Sequence, residues 1–289
     1  FTFQHIPRGG DSTEYSNSSA NNPRDKNLVI IIDVDNTIYS ERDLINNSDS
    51  TNPWHQGIES QIIRNSHLFG LKYFNLTSHQ CDQLYRMYGS TVEGIRHMLD
   101  SQEEVNEVLG RFYREVYDPI DFSCLNTNAR NNVRSGYDHG NALQKRRALA
   151  EFLTSISQTH SVYLASNSPR AHVVRVMNGM GLRGVRFAGI ISPDNEHIQP
   201  NEKDTHHSIV FPTKASPLQY YRHVLEKHPV QSHRIILLDD SLHNIQSAET
   251  VGIDGIYING QSDKRVSRTL EEGLAEALGH IFPNFIRWQ

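Results

Sequence analysis

Cysteine is nearly absent from this chain: Cys81 and Cys124 are the only two among 289 residues. That excludes a disulfide-stapled scaffold and a cysteine-built zinc module, and it fits a reducing compartment, so a cytoplasmic location is expected. Long apolar runs are missing too. No stretch approaches the roughly eighteen residues a membrane-spanning helix needs, so no membrane partner is expected. Excess positive charge is also lacking, since 28 basic against 33 acidic residues leave a net charge of −5. Nothing electrostatic therefore favours a nucleic-acid polymer as partner. No repeat at solenoid periods is found. The Asn-x-Ser/Thr triplets at Asn17, Asn46 and Asn75 carry no meaning in a cytosolic chain. Residues 1–26 are poor in apolar side chains and hold no signal-peptide core, so they read as a mobile polar tail. The start at Phe1 rather than Met implies that something upstream was removed.

What is present is organised around Leu28-Val29-Ile30-Ile31-Ile32-Asp33-Val34-Asp35-Asn36-Thr37-Ile38-Tyr39. Five consecutive apolar residues, four of them β-branched, predict a strand covered on both faces in the middle of a parallel sheet. The run stops at a carboxylate. Ligands of open α/β sheets bind at the carboxyl ends of the strands, which puts Asp33 and Asp35 at the mouth of a site. Side chains alternate along a strand, so the two acids point the same way while Val34 packs behind them. Carboxylates this close call for a cation or a raised pKa. Taken alone, Asp33 to Thr37 could be a polar exit from a strand. A second stretch of the same kind, Arg234 to Leu238 followed by Asp239-Asp240-Ser241, argues otherwise.

These residues, with the strand Val162-Tyr163-Leu164-Ala165 ending at Ser166-Asn167 and a lysine before the Asp239-Asp240 strand, resemble the haloacid dehalogenase superfamily. Tyr39, the segment Tyr88-Gly89-Ser90-Thr91-Val92-Glu93-Gly94 and the run Asp240-Ser241-Leu242-His243-Asn244-Ile245-Gln246 resemble its pyrimidine 5'-nucleotidase-like branch. The resemblance spans roughly residues 28–260 and implies a doubly wound, mostly parallel Rossmann-like α/β sheet with an inserted helical cap. Three departures stand out. Ala215 follows Lys214 where the family commonly has Pro, Asn244 stands where many relatives have an acid, and residues 192–213 are longer than expected.

The rest of the chain fits that outline. Trp54, Ile58, Ile62 and Phe69 predict one amphipathic helix. Thr77 to Gln80 form a capping box that opens a second, carrying Cys81, Leu84, Tyr85 and Tyr88 and stopped by Gly89. Val105, Val108, Leu109, Phe112 and Val116 stripe a third. Residues 41–142 thus read as a helical cap with a polar return loop, and residues 27–40 plus 143–289 as the core. Leu143, Leu149, Phe152, Leu153 and Ile156 predict a helix face, followed by the 162–165 strand, a 171–180 helix and a 187–191 strand. His197, His206 and His207 lie in a polar insertion that reads as a solvated loop. Ser216-Pro217-Leu218-Gln219 predict a capped helix start with Leu218, Tyr221 and Leu225 buried. A helix over 242–251, a strand at 256–258 and a helix near 267–278 close the fold.

The chemistry these residue types allow is phosphoryl transfer, which needs charge neutralisation, in-line geometry and proton transfer to the leaving oxygen. Asp33 can coordinate Mg²⁺ and attack phosphorus to give an aspartyl phosphate, and Asp35 can protonate the leaving alkoxide and then activate water. The resemblance implies that Asp35 lends its backbone carbonyl to the metal. It also implies that Asp240 is a direct ligand and that Asp239 supports it or coordinates through water. Ser166 and the Asn167 backbone would hold the phosphoryl oxygens, and Lys214, with Lys203 as competitor, would neutralise them. Asp239-Asp240 could also cap the following helix.

The expected activity is a Mg²⁺-dependent phosphomonoesterase acting on a small phosphorylated metabolite, nucleoside 5'-monophosphates and pyrimidine ones first. A sugar phosphatase is the nearest alternative, then a phosphomutase or a non-catalytic regulatory protein. Metal-free dehalogenase chemistry is disfavoured by Asp35 and Asp239-Asp240, since an acid cluster without a cation is costly. Tyr73, Phe74, Tyr85, Tyr88 and Tyr113 could stack a base or form the cap's own core.

Overall fold

The computed structural model describes residues 27–39, 57–125, 139–194, 211–258 and 270. Within these, strand β1 (Asn27–Asp33) pairs in parallel with β2 (Ser161–Ala165) on one side and β4 (His233–Asp239) on the other. Strands β3 (Gly189–Ile191) and β5 (Asp254–Tyr257) complete one parallel sheet in the order β3-β2-β1-β4-β5. β1 is central, as its continuous apolar run predicts. Leu28, Ile30 and Ile32 pack into one layer and Val29 and Ile31 into the other, so every side chain of the run is buried.

Helices flank the sheet and extend over its carboxyl edge. α1 (Ile58–Phe74), α2 (Ser78–Tyr88), α3 (Thr91–Arg96) and α4 (Gln102–Tyr117) lie between β1 and β2 in sequence. α5 (His139–Thr159) and α6 (Arg170–Gly179) flank β2 in sequence, and α7 (Pro217–Tyr220), α8 (Arg222–Lys227) and α9 (Leu242–Glu249) flank β4. The layer holding Ile30 and Ile32 continues into the inserted helices through Phe69, Leu109, Phe112 and Val116. The Thr77 capping box is formed, and Gly89 ends α2 with a left-handed φ of 76°. Among the described residues no helix is long and apolar enough to cross a membrane.

Several expectations need correction. The helix beginning after Ser216 breaks at Tyr221, and the Ser216 side chain makes no capping bond. Leu218 is exposed, while Tyr220, Tyr221 and Val224 are buried, because the break rotates the stripe. Leu143 is likewise exposed, and its helix begins earlier, at His139. Trp54, His197, Lys203, His206, His207 and the 267–278 helix apart from Leu270 lie outside the described residues.

The Tyr88 to Gly94 segment becomes a latch between the inserted helices and the sheet. Gly89 lets the chain pass His243 of α9, where a Cβ would meet the ring at 2.7 Å. Ser90 caps α3 by accepting from the Glu93 N–H at 3.1 Å. Buried Glu93 accepts from the Thr213 hydroxyl at 2.8 Å and pairs with Arg96 at 3.3 Å, and Arg96 donates to the Phe211 carbonyl. At Gly94 a Cβ would lie 2.6 Å from that of Leu84, so α2 and α3 touch through a glycine. Gly94→Val is therefore expected to lower stability by about 1–3 kcal/mol through overpacking. An unchanged denaturant midpoint would contradict this contact.

Candidate active site

Three strands end level with one another. Asp33 stands opposite Ala165, and Ile32 opposite Leu238, so Asp33, Ser166 and Asp239 gather at one edge of the sheet. Lys214, at the start of the turn into α7, reaches this edge from the far side. It is 1% exposed, and its Nζ donates to Asp33 Oδ1 and, at 2.7 Å, to Asp239 Oδ2. Its backbone is fixed as well: the N–H donates to Asn167 Oδ1 at 2.9 Å, and the carbonyl accepts from Ser247 Oγ at 2.9 Å. A buried lysine keeps its charge only beside acids, and Asp239 and Asp33 push its pKa well above the usual value against the opposing effect of burial.

Both oxygens of Asp239 already accept hydrogen bonds. Beyond Lys214, it accepts from the Ser241 N–H at 2.8 Å and from Asn244 Nδ2 at 2.9 Å. The polar Asn244, where an acid was the commoner expectation, thus serves as a donor. The helix cap of α9 is Ser241, which accepts from the Asn244 N–H, so the acid pair is not itself the cap. Asp33 differs from Asp239 in one respect. Its Oδ2 is buried and has no hydrogen-bond partner among the described residues. Asp33, Asp239 and Asp240 offer ligand oxygens within 4.8 Å of one another, a group that could hold a metal ion.

The electrostatics agree with that grouping. Burial pushes the Asp33 carboxyl well up, Lys214 opposes the shift, and Asp239, Asp240 and Asp35 reinforce it. Burial and Asp239 likewise push Asp240 up to about 7. Three carboxylates face one ammonium here. A divalent cation with oxygen ligands would relieve the excess charge, and an orphaned carboxylate oxygen beside a partly open Asp240 suits Mg²⁺, which takes one or two carboxylates and keeps waters. The donor set fits the ion.

Asp35 is seated differently. Asn36 takes a left-handed φ of 63°, and the turn from Val34 to Ile38 returns Tyr39 towards Asp35. Asp35 Oδ1 accepts from Tyr39 OH at 2.6 Å and lies 2.7 Å from His172 Nε2; Oδ2 accepts from Ser166 Oγ at 2.8 Å and Ser168 Oγ at 2.9 Å. Burial works against its charge, but the His172 ring and the bonds from His172, Tyr39 and Ser166 outweigh it and hold the carboxyl below its usual range.

A cavity of about 210 Å³ opens from these acids into the inserted helices. Asp33, Asp35, Asn167, Lys214 and Asp240 line its floor, and Glu59, His67, Asp82, Tyr85, Phe112 and Tyr117 line the helical side. Ser166 does not line it. That hydroxyl is spent on Asp35 and the Ser168 N–H, and Ser168 faces the cavity instead. Of the five aromatics considered for base stacking, only Tyr85 lines the cavity. Tyr73 packs on Phe69, Tyr88 stacks on His97, and Tyr113 is buried against Phe112 and Tyr117.

His172, Ser168 and Thr213 were not foreseen, and Glu93 was marked only as part of the Tyr88 to Gly94 segment. Ser168 repeats the spacing of Asp33 and Asp35 beyond its own strand, and His172 stands one helical turn after Ser168. That i, i+4 relation was the available signal.

No family model and no curated protein matches the chain. Among solved structures it is similar to YfnB of Bacillus subtilis, named as a HAD-hydrolase and bound to magnesium, at 18% identity over 88% of this chain and 99% of that one, with a TM-score of 0.43. It is also similar to the haloacid dehalogenase-like hydrolase SP0104 of Streptococcus pneumoniae, at 13% identity over 88% and 91% and a TM-score of 0.42. A third is the L-2-haloacid dehalogenase of Xanthobacter autotrophicus with chloropropionic acid covalently bound, at 13% identity over 85% and 86% and a TM-score of 0.40.

Proposed function

We propose that this chain is a haloacid dehalogenase-like phosphomonoesterase that works with Mg²⁺ through an aspartyl phosphate on Asp33, with nucleoside 5'-monophosphates, pyrimidine ones first, as substrates. The observation that carries the reading is Asp33 itself: one oxygen held by Lys214, the other buried beside Asp239 and Asp240 with no hydrogen-bond partner among the described residues. An oxygen so placed is oriented and stripped of water, as a nucleophile requires.

The residues divide the work. Asp33 and Asp240, with the Asp35 carbonyl and with Asp239 behind them, would hold Mg²⁺, which supplies charge neutralisation at the phosphoryl oxygens. Lys214 neutralises the same oxygens and keeps Asp33 in one orientation. Ser168 and the Asn167 backbone face the incoming ester, while Ser166 holds Asp35. Asp35, ionised in the resting enzyme, is in the form that activates water for the second half of the reaction. The first half needs it protonated, and the negative charge of an arriving ester favours that form. The inserted helices would contact the leaving alcohol: Tyr85, Phe112 and Tyr117 offer aromatic surface, and the His67–Asp82 pair offers polar edges.

The test is phosphate release from UMP, CMP, AMP and sugar phosphates with Mg²⁺ or EDTA. Release is expected only with Mg²⁺, and the highest kcat/KM with UMP or CMP. A sugar phosphate ranking first would move the substrate class and keep the chemistry. No release from any ester would overturn the reading.

A further inference from the structure

We infer that His172 is a positioning residue for Asp35: it is the rigid donor that keeps Asp35 Oδ1 aimed while substrate occupies the site and draws the Tyr39 and Ser168 hydroxyls away. The inference rests on the role proposed above for Asp35.

Four donors meet Asp35, but they are not equivalent. Ser166, Ser168 and Tyr39 are hydroxyls, whose hydrogens rotate to whichever acceptor is best. Ser168 and Tyr39 also line the cavity, so an incoming phosphoryl group competes for them. His172 does neither. Its side chain is fully buried, and its ring is wedged against Tyr117 at 5.2 Å and Phe122 at 5.3 Å between ring centres. It rises from α6, whose neighbouring Arg175 donates to the Tyr117, Asp118 and Ile120 carbonyls and lies over the Phe122 ring. The aromatic walls are therefore tied to the helix that bears the histidine.

An ionised carboxylate only accepts, so the 2.7 Å contact requires the hydrogen on Nε2. Nδ1 then points into protein with no partner among the described residues. A buried ring nitrogen without a partner is a cost that an apolar side chain would not carry. The bond that the imidazole makes is the one to Asp35. With Ser168 and Tyr39 turning to substrate, the N–H of the fixed ring, beside the Ser166 hydroxyl behind the cavity wall, is what still defines the carboxyl's direction.

The full-length chain with Mg²⁺ is assayed on two esters, an alkyl phosphate, whose leaving oxygen needs a proton, and p-nitrophenyl phosphate, whose acidic phenol does not. His172→Leu is expected to lower the ratio of kcat/KM on the alkyl ester to kcat/KM on the aryl ester by about 10²-fold, the worth of a positioned acid in the phosphorylation step, since water attack on the aspartyl phosphate is common to both esters and does not enter kcat/KM. KM should stay within about twofold, since a residue that acts through Asp35 leaves ground-state binding alone. His172→Gln, whose amide nitrogen reaches the Nε2 position, should restore most of the ratio. Where His172→Leu does not fold, His172→Asn, too short to reach Asp35, takes its place. The crystal structure of the variant lacking the donor, with inorganic phosphate and Mg²⁺ bound, should show Asp35 displaced.

Equal losses of kcat/KM on both esters, no recovery in His172→Gln, or an unmoved Asp35 would overturn the inference. If the parent hydrolyses neither ester, the phosphatase reading fails, and the placement of Asp35 in the variant crystal still decides what His172 does.

Discussion

Asp33→Asn is expected to abolish phosphate release, by about 10⁴-fold or more, as loss of a nucleophile does, while the variant melts no lower than the parent. Both halves follow from the same geometry. Asp33 is 4% exposed, and its carboxyl is pushed well up by burial and by three neighbouring acids. A charge in that place costs stability and is retained for chemistry. The amide removes one of the charges crowding Lys214 and leaves Asp239 to pair with it at 2.7 Å. Inactivity with an equal or higher melting temperature identifies a functional group. Inactivity with a collapsed fold would identify a structural one.

Lys214→Met should fail in the opposite way, losing activity and stability together. The lysine is the ammonium that Asp33 and Asp239 share, and all three are almost fully buried. Removing one partner from a buried pair leaves charge uncompensated, at a cost of about 3–5 kcal/mol. Part of that loss should return on adding Mg²⁺, because a cation among the same acids replaces what the ammonium supplied. Urea unfolding of parent and variant, with EDTA and with Mg²⁺, reads both effects. A variant as stable as the parent in EDTA would mean that the acids do not depend on Lys214, and the charge balance described here would be wrong.

The sheet edge was legible in the sequence because each strand that builds it announces itself. An apolar run that ends in an acid has few other places to be, and two such runs fix β1 and β4 with their carboxyl ends together. Lys214 could be picked out only by its order along the chain; the structure places it between Asp33 and Asp239. The latch and the seat of Asp35 were not legible. α3 spans six residues, too short to show a periodic apolar stripe, and it forms because Ser90 caps it and Glu93 finds Thr213, 120 residues away. His172 meets Asp35 across 137 residues, and its place four residues after Ser168 is the one local sign of the contact. The break between α7 and α8 was missed for a related reason: Ser216 and Pro217 look like a helix start, but the burial of Tyr220 and Tyr221 together overrides a single regular stripe.

For Ser166, position gave the residue but not the partner of its hydroxyl. Its place after β2 suggested direct contact with phosphate, yet its hydroxyl is turned to Asp35, and Ser168 faces the cavity. A hydroxyl serves whichever acceptor lies nearest, and the turn after β2 presents two of them within three residues of the strand end.

The central claim is that Asp33 attacks phosphorus, and borohydride trapping during turnover tests it most directly. An acyl phosphate is reduced by borohydride, so a covalent intermediate on Asp33 would be converted to homoserine at position 33, readable by peptide mass spectrometry. The expected result is homoserine at position 33 when substrate and Mg²⁺ are both present, and none with EDTA or in Asp33→Asn. Steady phosphate release with no homoserine at that position, or with the trapped residue elsewhere, would contradict the account.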